Sequence, residues 1–287
     1  MTSPLITARE LAGLLATPDP PVLLDVRWSL SAAGQQVDER SGPRAEHLAG
    51  HLPGARFVDL ESELSGPHDP ARGRHPLPDP DVFAAQVASW GVGPDDLVVT
   101  YDDSGGMSAC RLWWMLRWIG HDHVRVLDGG LGAWRAAGGP LEAGPAVPRP
   151  AVVDAPPQLH GMPTVSADEV AAGAVGVLLD ARSAERYRGE SEPVDPIAGH
   201  IPGALSAPTA ANLDADGHFA DPDTLAARFS ALGVAVGRPV AVYCGSGVTA
   251  AHEIFALEVA GFPGAALYAP SWSGWISDPS RPIGTSA

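Results

Sequence analysis

The sequence contains no lysine: its 18 basic residues are all arginine. That excludes Schiff-base chemistry and a P-loop, both of which need a lysine ammonium. Cysteine is nearly as scarce. Cys110 and Cys244 are the two in 287 residues, too few for a disulfide framework. Positive charge is in deficit: 18 basic against 34 acidic side chains give a net charge of −16. Nucleic acid and anionic membrane surfaces attract basic patches, so neither is expected as a partner. No apolar run approaches the ~18 residues of a membrane span. The opening MTSPLITARELAGLLATPDP lacks a basic region followed by an apolar one, so no secretory signal is expected. The expected compartment is the reducing cytoplasm, with Cys244 a free thiol. The histidines and cysteines fall in no metal-ligand spacing, and neither a metal nor an organic cofactor is implied.

What the chain does have is an internal duplication. VLLDVR (22–27) returns as VLLDAR (177–182), and GHLPGA (50–55) as GHIPGA (199–204). DPDVFAAQVASWGV (79–92) returns as DPDTLAARFSALGV (221–234). VVTYDDSGGMSA (98–109) returns as VAVYCGSGVTA (240–250), and Trp134 and Trp275 close similar segments. The order is kept, and the period is far too long for a solenoid. Two whole domains are expected, over 1–140 and 164–287. The Pro- and Gly-rich stretch between them, 141–163, reads as an extended linker.

Each half alternates short apolar runs with amphipathic patterns. VLLD, VVTY and VAVY read as buried strands; the segments DVFAAQVASWG and DTLAARFSALG read as helices stopped by glycine. Such alternation predicts an α/β fold in each half, a mainly parallel sheet flanked by helices. Ligands of such sheets bind beyond the carboxyl ends of the strands. Cys244 falls at one of those ends.

The loop Cys244-Gly245-Ser246-Gly247-Val248-Thr249 can curl its amides around the thiol. Gly245 and Gly247 permit tight or left-handed backbone, and a helix is expected to start just after. Amides converging at a helix N-terminus form an anion nest, which favours a thiolate and would hold a negatively charged sulfur attached to it. The bland alternative is an inert cysteine buried at a strand end. In the first half the same loop carries Asp102 and no thiol. A carboxylate there would fill the anion position itself, so the first domain is expected to be catalytically silent. Cys110, on the helical run RLWWMLRWIG, reads as structural. A phosphatase would need an arginine six residues after Cys244, where Ala250 stands.

These motifs resemble the tandem rhodanese-like sulfurtransferases, nearly end to end. The resemblance rests on VLLDVR, GHLPGA, LLDARSAERYRG, GHIPGA, YCGSGVTA and the terminal SWSGW. It implies two rhodanese-like domains and a ping-pong sulfurtransferase in which Cys244 carries a persulfide. The partners implied are a small-molecule sulfur donor and a small thiol, cyanide or thioredoxin-like acceptor. The loop CGSGVT is similar to that of the 3-mercaptopyruvate sulfurtransferase branch; the thiosulfate branch usually has CRKGVT, whose cations suit a dianionic donor. A thiosulfate donor, or a non-catalytic persulfide carrier, are the alternatives.

By the same resemblance, Arg186 matches an arginine that clamps the substrate carboxylate. A surface salt bridge to Glu185 or Glu190 is the alternative. The branch usually has a second arginine nine positions on, where this chain has Asp195. Arg188 is a candidate to compensate. His75, in RHPLP, matches a first-half histidine that reaches the active site and would act with Ser246 to protonate substrate; otherwise it is a surface-loop histidine. Asp59 and Glu61 are its candidate acid partners. Gly245, Gly247, Val248 and Thr249 would supply the amides. Arg182, His51 and His200 recur in both halves as Arg27 and the two GH motifs, and read as structural.

Overall fold

The computed structural model describes residues 3–29, 41–152 and 161–285. The chain forms two compact units. Unit 1 comprises Met1–Leu64, Pro78–Gly161 and Asp216–His218; unit 2 comprises Ser65–Leu77, Met162–Ala215 and Phe219–Ala287.

Unit 1 contains β1 (Leu5–Ile6), α1 (Ala8–Leu15), β2 (Val22–Asp25), α2 (Pro43–Ala49), β3 (Arg56–Phe57) and α3 (Leu60–Glu63). It continues with α4 (Pro80–Ser89), β4 (Val98–Tyr101), α5 (Ala109–Trp118), β5 (Val124–Leu127) and α6 (Gly130–Ala136). Its five strands are ordered β1-β5-β4-β2-β3, all parallel. The core gathers Leu23, Val99, Tyr101, Leu131 and Trp134.

Unit 2 contains α7 (Ala167–Ala171), β6 (Val177–Asp180), α8 (Ala184–Arg188), β7 (Leu205–Ser206), α9 (Pro222–Ala231), β8 (Val240–Tyr243), α10 (Thr249–Val259), β9 (Ala266–Leu267) and α11 (Ser271–Trp275). Its four strands are ordered β7-β6-β8-β9, again parallel. A single bridge, Thr164 to Leu267, stands where unit 1 has β1. The core gathers Leu178, Ile201, Tyr243, Tyr268, Trp272 and Trp275. Each buried side chain of this size contributes roughly 1.5–3 kcal/mol.

Both sheets obey the same register: Asp25 pairs with Tyr101 and Asp180 with Tyr243. The apolar strands form because both faces are buried, which removes any need for alternation. Gly91 (φ 77°) and Gly233 (φ 81°) follow α4 and α9 as left-handed stops. In each sheet the crossovers diverge at the central pair, β2/β4 and β6/β8, which is where a doubly wound sheet binds its ligand.

The duplicated polar residues brace these strand ends. Arg182 donates through Nε and Nη2 to Asp180, and through Nη2 to the Gly199 carbonyl at 2.6 Å. Arg27 does the same to Asp25 and Gly50. Burial opposes the charge on Arg182, but the Asp180 carboxylate outweighs it and holds the guanidinium charged. His51 and His200 bond backbone carbonyls, of His47 and Tyr187, each at 2.8 Å. The backbone N–H groups of Leu52 and Ile201 donate to Tyr101 and Tyr243 hydroxyls. The GHLPGA and GHIPGA motifs are thus corner pieces.

The structure departs from the sequence boundaries in two segments, Asp216–His218, which falls in unit 1, and the longer Ser65–Leu77. Ser65–Leu77, placed in the first domain by a boundary at 140, packs with unit 2. Two glycines allow it. A Cβ on Gly73 (φ +84°) would sit 2.5 Å from the Pro270 carbonyl oxygen, and one on Gly274 3.1 Å from the Ala71 carbonyl oxygen. Backbones that approach so closely leave no room for a side chain. In the stretch read as a linker, residues up to 152 are bound to unit 1. Glu142 pairs with His51, Gly144 N–H donates to Leu48, and Val152 N–H donates to Ala88. Residues 153–160 lie outside the described residues.

Candidate active site

Strand β8 delivers Cys244 to the carboxyl edge of its sheet, with 1% of its surface exposed. The chain then turns through Gly247, at φ +82°. That turn points the Gly247 N–H back at the thiol, where it donates to Cys244 Sγ at 3.1 Å. Val248 is the buried cap of α10, so the helix begins at Thr249 directly above the loop. Gly245, Gly247, Val248 and Thr249, the expected amide donors, follow Cys244 through this loop into the start of α10.

Helix α11 holds the loop from outside. The Trp272 and Ser273 amides donate to the carbonyls of Cys244 and Gly245, at 2.9 and 3.0 Å. The Cys244 N–H donates to Ser271 Oγ at 3.1 Å. Ser271 is fully buried and has φ 54°, the one non-glycine with positive φ among the described residues. Strain of that kind persists where surrounding contacts impose it.

Unit 1 shows what the scaffold does without a thiol. Asp102 follows β4 as Cys244 follows β8. Its carboxylate accepts from the amides of Ser104, Gly106, Ser108 and Ala109 at 2.9–3.0 Å. The nest is there, and its own side chain fills it.

His75 and Ser246 are brought together. His75 Nδ1 lies 2.7 Å from Ser246 Oγ, both residues buried within unit 2. Asp59 and Glu61, the candidate acid partners of His75, each have contacts of their own. Asp59 caps α3 by accepting from Ser62 N–H, and Glu61 accepts from the Trp28 indole.

Arg186 does not pair with Glu185 or Glu190. It donates through Nε and Nη2 to Glu192 at 3.0 and 2.6 Å, and through Nη2 to Asp195 at 3.2 Å. Arg188 does not join this group; it turns outward to Glu190 at 2.7 Å. The companion of Arg186 is Arg74, whose Nη1 forms an ion pair with Asp195. A Cβ built on Gly245 would lie 3.0 Å from Arg74 Nη2 and 3.5 Å from Arg186 Nη1 and Nη2. Two guanidiniums thus face the residue next to the thiol. Burial opposes the charge on Glu192, but Arg186 and the amides of Asp195 and Val194 outweigh it and hold its pKa below the usual range. Burial pushes Asp195 up despite Arg74, and Glu192 beside it adds to the rise.

Cys110 lies fully buried on α5, where burial and then Asp102 push its thiol well up. Among the described residues no cluster of His, Cys, Asp or Glu is placed to hold a metal. No helix among them is long and apolar enough to cross a membrane.

Reading the sequence missed Arg74 and Ser271. A signal for Arg74 exists: an aspartate at 195, where an arginine is usual, asks for a cation to meet it. Ser271 carries no such signal, because a serine at positive φ looks like any other serine.

The rhodanese-like domain family matches residues 7–137 and 165–278. A Pseudomonas aeruginosa protein, provisionally named a 3-mercaptopyruvate sulfurtransferase, is 47% identical over 287 residues, covering 98% of each chain. A Mycobacterium tuberculosis protein, SseB, provisionally named a thiosulfate sulfurtransferase, is 48% identical over 98% of this chain and 96% of its own. The crystal structure of SseA from Escherichia coli, described as a 3-mercaptopyruvate sulfotransferase of "rhodanese" fold, superposes with a TM-score of 0.80. That chain is 35% identical, with 94% of this chain and 99% of SseA covered.

Proposed function

Since this chain is a sulfurtransferase of the rhodanese-like family, we propose that it takes its sulfur from 3-mercaptopyruvate and carries it as a Cys244 persulfide. The observation that carries this reading is the Gly247 amide on Cys244 Sγ, at the position where unit 1 offers only Asp102. Unit 2 is then the catalytic unit and unit 1 is silent.

The Cys244 thiolate attacks the sulfur of mercaptopyruvate. An S–S bond forms, the carbon–sulfur bond breaks, and the electron pair leaves as the enolate of pyruvate. The enolate takes one proton to become pyruvate. Ser246 and His75, 2.7 Å apart, form the relay that delivers it, a role worth about 10²–10⁴ in rate for a positioned acid. Arg186 holds the substrate carboxylate. The amides of Gly247 and its neighbours hold the negative sulfur before and after transfer; one such donor is worth about 10²–10³. A thiol or cyanide acceptor then attacks the outer sulfur, the S–S bond breaks, and the Cys244 thiolate returns. With two free cysteines, the reducing cytoplasm is the compartment that suits this cycle.

Thiosulfate is the second donor. The observation favouring it is the pair of guanidiniums at Gly245, which supply cations that the loop's own side chains lack; the name of the M. tuberculosis relative points the same way. The test is kcat/KM for mercaptopyruvate against thiosulfate with cyanide as acceptor. Mercaptopyruvate is the better donor on this account, and a clear preference for thiosulfate overturns the assignment.

A further inference from the structure

We propose that unit 1 carries a second ligand site, which takes a small aromatic carboxylate between Arg44, Arg56 and the segment 145–148. No residue lining it belongs to unit 2 or to the Asp102 loop, so the inference does not depend on the sulfur-transfer reading.

The site begins with a strap fixed at both ends. At one end Glu142 and His51 exchange backbone hydrogen bonds, and the Glu142 carboxylate accepts from the Gly54 N–H at 2.8 Å. At the other, Arg149 Nε donates to the Gly91 carbonyl at 3.1 Å and the Val152 N–H donates to Ala88. A Cβ on Gly91 would lie 2.5 Å from Arg149 Cβ, so strap and body touch there. Between these anchors, residues 145–148 make no backbone hydrogen bond to any described residue. Pro145 and Pro148 have no N–H to offer, so the strap does not pair along β3, the edge strand of its sheet. It spans a cavity of about 330 Å³ instead. Small-molecule pockets run from about 300 to 1,000 Å³.

The walls define the ligand's charge. The guanidiniums of Arg44, Arg56 and Arg149 line the cavity, and no carboxylate does, in a chain of net charge −16. Arg56 pairs with Glu63 at 2.6 Å and Arg149 with Asp96 at 3.2 Å. Arg44 has no carboxylate partner among the described residues. Arg56 Nε is buried with no hydrogen-bond partner. An excess cation and an unused buried donor in one cavity are complementary to an anion.

The same walls define the ligand's body. Arg44 lies over the Phe57 ring, 5.0 Å from its centroid, and Arg56 over the Trp90 ring at 5.4 Å. A guanidinium stacked on one ring keeps its other face for a second ring and its edge for a carboxylate. The rings of Pro53, Pro145 and Pro148 add flat, rigid apolar surface. A flat ring fills such walls without the loss of rotamers that a flexible aliphatic acid would suffer.

The probe is indole-3-acetate, titrated into the full chain by calorimetry. It should bind saturably at a single site. 3-Methylindole has the ring without the charge, and acetate the charge without the ring; each should bind at least tenfold more weakly. Octanoate, an aliphatic acid, should also bind more weakly. Arg44→Ala should weaken indole-3-acetate by about 10- to 100-fold, and Arg44→Glu by more. Arg44 is exposed and outside the catalytic machinery, so both variants should keep the thermal midpoint and kcat of the unaltered protein. Arg186→Ala controls for binding beside Cys244 and should leave the affinity unchanged. No saturable binding, an affinity indifferent to Arg44, or an affinity lost in Arg186→Ala overturns the inference. Octanoate binding as tightly as indole-3-acetate overturns the aromatic ligand class.

Discussion

Ser271 offers a sharp test of how the nucleophile's loop is held. Its hydroxyl accepts the Cys244 N–H at 3.1 Å and donates to the Tyr268 carbonyl at 3.0 Å, and the residue is fully buried. Ser271→Ala deletes the acceptor and leaves the Cys244 N–H buried without it, a cost of about 1–3 kcal/mol. Tyr268 loses less, because the Ser271 N–H also donates to its carbonyl at 3.1 Å. Alanine keeps the Cβ that φ 54° disfavours. Ser271→Gly loses the same hydroxyl but relieves that strain, which is worth about 1 kcal/mol. Glycine in a helix is ordinarily the worse residue by about 1 kcal/mol; here it should be the better one. At roughly 4 °C per kcal/mol, Ser271→Ala should lower the transition of unit 2 by about 4–12 °C, and Ser271→Gly by about 4 °C less. Scanning calorimetry of the two variants side by side reads the difference. A glycine variant as unstable as the alanine variant, or more so, would refute the assignment of strain at this position.

Three further outcomes follow from the same geometry. Iodoacetamide should alkylate Cys244 in the native protein and spare Cys110, whose thiol is kept protonated by burial and by Asp102; peptide mapping of the modified residue checks this. Ser246→Ala should lower kcat for mercaptopyruvate by about 10²-fold and slow thiosulfate much less, because sulfite leaves without needing a proton; equal losses with both donors would remove Ser246 from the proton relay. Glu253, fully buried against Arg228 and Asn212, has its pKa raised by burial despite those partners. The folded state therefore binds its proton more tightly than the unfolded state, and stability falls as pH rises from the ordinary glutamate value of about 4.5 through the raised one. Glu253→Gln should flatten that fall in thermal unfolding measured across this window.

Much of this was legible in the sequence because it is local and repeated. The strands VLLD, VVTY and VAVY, the glycine stops after α4 and α9, and the corner motifs each act within a few residues of themselves, and each appears twice. The Cys244 loop was readable for the same reason, and its first-half copy supplied the contrast with Asp102. What stayed hidden is long-range. Ser65–Leu77 crosses to unit 2 because Gly73 and Gly274 let two backbones touch, and close packing leaves no periodic pattern. Arg74 meets Asp195 across 121 residues of sequence. Arg188, two residues from Arg186, lies on another side of the short helix α8 and meets Glu190 instead.

The central claim is that one thiol carries the sulfur. The direct measurement is intact-protein and peptide mass spectrometry after exposure to 3-mercaptopyruvate alone, with no acceptor. The account predicts one added sulfur, on Cys244, removed by cyanide and absent from Cys244→Ser. A protein that turns over without ever showing that sulfur, or that carries it on Cys110, would contradict it.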